Sequence, residues 1–136
     1  MKHDNFTKPD DRDNVWEDLV VSILSVNQYS LTNTYSKIES LREMGIVNPK
    51  NLEKWKATEI VDFLRKGGCD RGEFMTNLFS ERLASLGELI SSRGIDICEN
   101  ILLSRDTKAI TELLIPVNGI GPKVLKNFFF LRQLNS

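Results

Sequence analysis

The chain has 136 residues, 40 % of them hydrophobic and 27 % charged, with a formal net charge of −1. Those values predict one ordinary globular domain with a core of its own; the near-neutral balance excludes a protein that coats itself in nucleic acid through bulk charge. No apolar run approaches the ~18 residues of a membrane span, the polar start Met1-Lys2-His3-Asp4-Asn5 is no signal peptide, and Cys69 and Cys98 lie too far apart for a CxxC motif, so an intracellular protein with no membrane partner, disulfide framework, metal site or cofactor is expected.

In chain order, residues 1–13 are polar and aperiodic and are expected to form a flexible tail, leaving 14–136 as the folded part. Asn14 with Glu17 three residues on reads as a capping box that opens a strongly apolar helix carrying Trp16, Leu19, Val20, Ile23 and Leu24. Ser30 or Thr32 opens a second helix with Leu31, Tyr35, Ile38 and Leu41 on one stripe, ending at Gly45. Asn48-Pro49 starts a short third helix with Leu52 and Trp55. Thr58 caps a fourth with Ile60, Phe63 and Leu64 turned inward, ended by Gly67-Gly68. A long helix from about Glu73 to Ser91 places Met75, Phe79, Leu83, Leu86 and Ile90 on one face. The stretch 97–103 reads either as another short helix or as a connection, and Asp106 caps the helix that follows. The expectation is an all-α fold of six to eight helices. Trp16, Leu19, Ile23, Phe63, Leu64, Phe79, Leu86 and Leu113 are expected in the core.

Val117-Asn118-Gly119-Ile120-Gly121-Pro122-Lys123 is the most informative stretch. Two glycines flanking one apolar residue allow a tight turn with positive φ and no Cβ in the way of a ligand, and Pro122 suits the first position of a helix. Free N–H groups at the turn and the positive end of that helix make a small anion site whose natural guest is a phosphate, with Lys123 at its rim. Together with the helix before it this is a helix-hairpin-helix, in which Val117 and Ile120 tuck under the turn while Gly119 and Gly121 face a nucleic-acid backbone, a contact that positions a duplex without reading bases. An ordinary glycine turn between two helices is the rival reading. Charge distribution bears on the choice: residues 1–18 hold six acids against three bases, whereas residues 113–136 hold Lys123, Lys126 and Arg132 and no acid. The hairpin end is thus the electropositive end, although a solvated helix face also accounts for three cations.

The order of these elements resembles the six-helix domain of the helix-hairpin-helix DNA glycosylase superfamily, the group of endonuclease III and the adenine-mismatch and 8-oxoguanine glycosylases, over roughly Trp16 to Leu134. Leu24-Ser25-Val26-Asn27-Gln28 looks like the family's Leu-Ser-x-Gln segment, Gly67-Gly68-Cys69-Asp70-Arg71 is similar to its strand-wedging loop, and the hairpin is similar to its Leu-Pro-Gly-(Val/Ile)-Gly-x-Lys-Thr-Ala. The resemblance implies a six-helix bundle or barrel, duplex DNA, damaged or abasic, as partner, and base-excision glycosylase or abasic-site lyase activity. It implies Lys123 as Schiff-base nucleophile, and Gly119, Ile120, Gly121, Lys126, Asn27, Gln28 and Arg71 as DNA-binding residues. Alternatives stay open for several: Lys123 as a protonated phosphate contact, Asn27 and Gln28 as caps of the first helix, Arg71 as a surface charge. The chain also departs from the pattern. Asn118 replaces a proline, Val124-Leu125 replaces Thr-Ala, and no acid follows Glu112 where the family keeps a catalytic aspartate, so a second helical domain or a partner would have to supply it. The four cysteines of an iron–sulfur cluster are absent as well. A non-catalytic DNA-binding module is therefore the rival function, and a helical protein-interaction domain using Trp55 and Phe128-Phe129-Phe130 is the third.

Overall fold

The structure is a computed structural model that describes residues 6–8, 10, 12–27 and 29–134. Its described residues form α1 (Val15–Leu24), α2 (Leu31–Tyr35), α3 (Ile38–Met44), α4 (Pro49–Lys54), α5 (Ala57–Lys66), α6 (Glu73–Arg93), α7 (Ile95–Leu103), α8 (Thr107–Leu114) and α9 (Pro122–Leu131), with no strand among them. The fold is all-α.

The apolar content of α1 runs around the whole helix, and every one of its residues is buried. A helix apolar on all sides belongs in the middle of a domain. It packs on α2, α6, α7 and α9. The long α6 is the second axis, crossing α4, α5, α1 and α7. At the α4–α6 crossing Gly87 is required by space: a Cβ there would run into the Leu52 carbonyl.

Four helices begin with side-chain caps: Asn14 accepts from the Trp16 and Glu17 amides, Ser30 from Asn33, Asn48 from Lys50, and Asp106 from Lys108 and Ala109. The capping box at Glu17 does not form. The Glu17 carboxylate is taken by Arg42, whose Nε and Nη2 donate to it at 2.9 and 2.8 Å, so Asn14 holds this helix start alone. The single helix expected over 30–45 is divided into α2 and α3. Thr34 and Ser36 turn their hydroxyls back onto the Ser30 and Asn33 carbonyls, a bonding pattern that competes with helix continuation. α5 starts before Thr58, with the Glu59 carboxylate accepting the Lys56 amide at 3.0 Å. The stretch read as helix or connection is the C-terminal part of α7.

Of the expected core residues, all are buried except Phe63, which is half-buried and stacked on Trp55 at 4.3 Å. Phe128 and Phe129 are buried and Phe130 is half-buried beneath Phe6, with ring centroids 6.2 Å apart. The aromatic run therefore supplies core rather than a docking face, and Trp55 is half-buried as well.

The polar start carries no helix in its described residues, yet they are drawn onto the domain. Lys8 pairs with Asp18 at 2.9 Å, Asp10 with Arg42 at 3.0 Å, and Asp13 with Arg132 at 2.6 Å, while the Phe6 ring lies 5.2 Å from Tyr35. Glu17 and Asp18 are fully buried carboxylates, and a buried charge is tolerated only when paired and hydrogen-bonded. Arg42 serves the first; Lys8, Arg132 and the Tyr35 hydroxyl serve the second.

Candidate nucleic-acid interface

The hairpin is built from two backbone hydrogen bonds and two apolar anchors. The Val117 amide donates to the Leu114 carbonyl at 2.9 Å, and the Ile120 amide to the Val117 carbonyl at 3.2 Å. Val117 and Ile120 are buried beneath the turn, as their spacing implies. Ile120 accordingly positions the loop and offers little surface to a ligand. Gly119 takes φ +82°, a left-handed conformation that favours glycine. Gly121 does not: its φ is −132°, open to any residue, and nothing lies within 4 Å of a Cβ built there. Only one of the two glycines is thus required by backbone conformation.

Gly121 occupies the N-cap position of α9 with no side-chain cap, and Pro122 takes the first turn. The amides of Gly119, Gly121, Lys123 and Val124 have no hydrogen-bond partner among the described residues. Lys123 and Lys126 are exposed and form no ion pair among the described residues. On the opposite face of α9, Val124 and Leu125, the pair that stands where the resembled pattern has Thr-Ala, are buried in the core. The third cation of this end, Arg132, is drawn away to Asp13 and Asp18 at 2.6 and 3.0 Å and adds nothing to an open basic surface.

A fourth cation takes its place. Arg82 on α6 lies across Gly119, close enough that a Cβ at this glycine would overlap its side chain. One turn along, the Ser85 hydroxyl accepts the Asn118 amide at 3.0 Å. Sequence reasoning missed Arg82 because it is 37 residues away in the chain, and only the α6–hairpin packing joins them.

The other expected contacts are gathered at the far end of α1. Arg71 is half-buried and points inward: its Nη1 donates to the Leu24 carbonyl at 3.0 Å and its Nη2 to those of Val26 and Asn27 at 3.2 and 3.4 Å. The guanidinium stacks on Tyr29 at 4.0 Å and faces the Phe79 ring at 4.7 Å. Burial pushes its pKa below the usual arginine value. Arg71 is therefore a bracket for the end of α1 and not a free surface charge. Asn127, buried on α9, clasps the same end by donating to the Ser22 and Ser25 carbonyls at 3.4 and 3.0 Å. Its position on an otherwise apolar helix face was the available signal. Asn27 is exposed with φ +57°, a conformation asparagine tolerates, and Gln28 lies outside the described residues.

Between these loops a cavity of about 20 Å³ is lined by Tyr29, Thr34, Lys37, Cys69, Arg71 and Phe79 among others. It has room for about one water molecule. Lys123 does not line it. Burial raises the Cys69 thiol pKa, opposed by the nearby Lys37 charge, which suits a thiol that fills space. Among the described residues, no group of three or more His, Cys, Asp or Glu side chains has the geometry to hold a metal ion, and no helix is long and apolar enough to cross a membrane.

The structure thus brings Gly119, Gly121, Lys123 and Lys126 to one hairpin and places Asn27 and Arg71 at a second locus. Comparison with family models, with curated proteins and with solved structures gives no match for the chain.

Proposed function

We propose that the hairpin between α8 and α9 binds the phosphate backbone of duplex DNA, and that the chain is a DNA-repair protein of the helix-hairpin-helix glycosylase type acting through that contact. One observation carries the reading. α9, like α3, α6 and α7, begins without a side-chain cap, and it leaves the Gly121 and Lys123 amides free behind an exposed lysine. Unpartnered amides at the positive end of a helix stabilise a bound anion, and a lysine beside them adds a point charge. The test is duplex binding across a salt series. Affinity should fall with a shallow slope, about two to four neutralised phosphates, because the open patch is small. Binding that ignores salt would contradict the clamp.

A second reading, abasic-site lyase activity, is favoured by the exposure of Lys123 and its lack of an acidic partner among the described residues. The amine of a neutral lysine would attack C1′ of the ring-opened sugar aldehyde and lose water to give an imine. Loss of a C2′ proton to water would then break the C3′–O bond, releasing the 3′ phosphate as leaving group, and hydrolysis of the imine would return the lysine. This route needs no carboxylate to stabilise a sugar cation, whereas removal of an intact base does. Borohydride trapping on abasic-site DNA decides: a covalent adduct lost in Lys123→Ala supports the lyase, and no adduct with binding intact leaves a non-catalytic DNA-binding module.

A further inference from the structure

We infer that Arg82 is the second cationic arm of the hairpin and that a DNA phosphodiester approaches the turn on its Gly119 flank, between Arg82 and the free amides. The inference rests on the phosphate-clamp reading above and deepens it, by assigning a residue outside the hairpin and a direction of approach.

Three observations converge. Arg82 lies directly over Gly119, the one hairpin residue whose backbone must be left-handed. Its guanidinium has no carboxylate partner among the described residues and is instead held 5.5 Å over the Phe79 ring. Phe79 is itself buried and fixed, so the arm is aimed by the core rather than by a surface ion pair. An arginine held by a ring face keeps its full charge and its planar donors for an incoming phosphate, which it binds in a forked geometry that lysine lacks.

The direction follows from α6. Successive helix residues diverge by about 100°, so Arg82 and Glu81 leave α6 in different directions, and only Glu81 lines the groove beside the hairpin. The flank formed by Pro116 and Asn118 opens on a groove lined by Glu53, Glu81 and Glu88 against Lys54 and Lys56. An acidic excess there repels a polyanion, whereas the side chain that lies over Gly119 is a cation.

The experiment measures fluorescence anisotropy of a labelled duplex at several salt concentrations with the wild-type chain, Arg82→Ala and Arg82→Lys, each checked for an unchanged thermal melt. Arg82→Ala should weaken binding about two- to fivefold and lower the salt slope by about one phosphate. Arg82→Lys should restore the slope while recovering only part of the affinity, because the forked donors are gone. Wild-type binding with an Arg82→Ala variant unchanged in both slope and affinity would overturn the inference and leave the clamp standing. An Arg82→Ala variant that binds more tightly would also overturn it, making Arg82 a cover over the glycine. No duplex binding by the wild-type chain even at low salt would remove the clamp reading and this inference with it.

Discussion

The hairpin over 115–123 and the loops over 24–29 and 67–72 are alike in composition, each placing polar or glycine residues at a helix end, yet they dispose of their backbone groups in opposite ways. At the α1 end, Arg71 and Asn127 reach in from distant segments and satisfy the carbonyls of Ser22, Leu24, Ser25, Val26 and Asn27. At the α9 start, nothing in the described chain reaches the free amides. Buried backbone groups must be paired within the fold, and exposed ones are available to a ligand. The difference separates a loop that holds the domain together from a loop open to an anion, although both were read from sequence as DNA contacts.

The largest expected effect falls on the closed side. Asn127→Ala removes two buried hydrogen bonds and leaves a small void, so it should cost about 2–4 kcal/mol in denaturant unfolding. Arg71→Ala should cost about 1–3 kcal/mol by leaving carbonyls of the α1 end unpaired. A cost below about 0.5 kcal/mol for either, with duplex binding lost, would reverse their assignment from bracket to interface. Next comes Gly119→Val. The left-handed backbone strains a β-branched residue by about 1–2 kcal/mol, and the new side chain displaces Arg82, so stability and duplex affinity should both fall. Gly121 sharpens the contrast. Gly121→Ala should leave stability within about 0.5 kcal/mol, since its φ is ordinary and its surroundings are open. Gly121→Val should weaken duplex binding by crowding the approach to the amides, with the helices still folded by circular dichroism. A Gly121→Val variant that binds normally would open the hairpin reading to doubt.

The smallest effect is the pH response of the polar start. A hydrogen bond from Arg42 holds the Asp10 carboxyl below its ordinary pKa, and one from Arg132 does the same for Asp13. Groups whose pKa is depressed by folding stabilise it above the ordinary carboxylate range and lose that contribution as pH falls through the folded value. Both carboxylates are largely solvent-exposed, so the effect on global stability is slight and the readout is local. Amide protection of residues 6–8, 10, 12 and 13, taken relative to the intrinsic exchange rate at each pH, should be flat near neutrality and should fall below about pH 4. Absence of protection at neutral pH would mean that these pairs do not hold the segment.

The elements most legible in sequence were those governed by local chemistry. Asn14, Asn48 and Asp106 announce their helices as caps, Val117 and Ile120 announce the anchors of the turn, and the apolar face of α6 follows from its period. Long-range competition decided the rest. Glu17 is a plausible capping partner until Arg42, 25 residues on, takes its carboxylate. Arg71 resembles a surface charge until the α1 carbonyls come within reach. Arg132 counts toward a basic end until Asp13 and Asp18 neutralise it, and Arg82 joins the hairpin only through the packing of α6. Each of these depends on an ion or hydrogen-bond partner that no local pattern encodes.

The most direct measurement of the difference between the two loci is a titration of the isotope-labelled chain with a short duplex, followed by amide chemical shifts. The Gly119, Gly121, Lys123 and Val124 amides should move together and saturate, while those of Asn27 and Arg71 stay near their free positions. Large shifts at Asn27 and Arg71 with a silent hairpin, or no shift anywhere at low salt, would contradict the account.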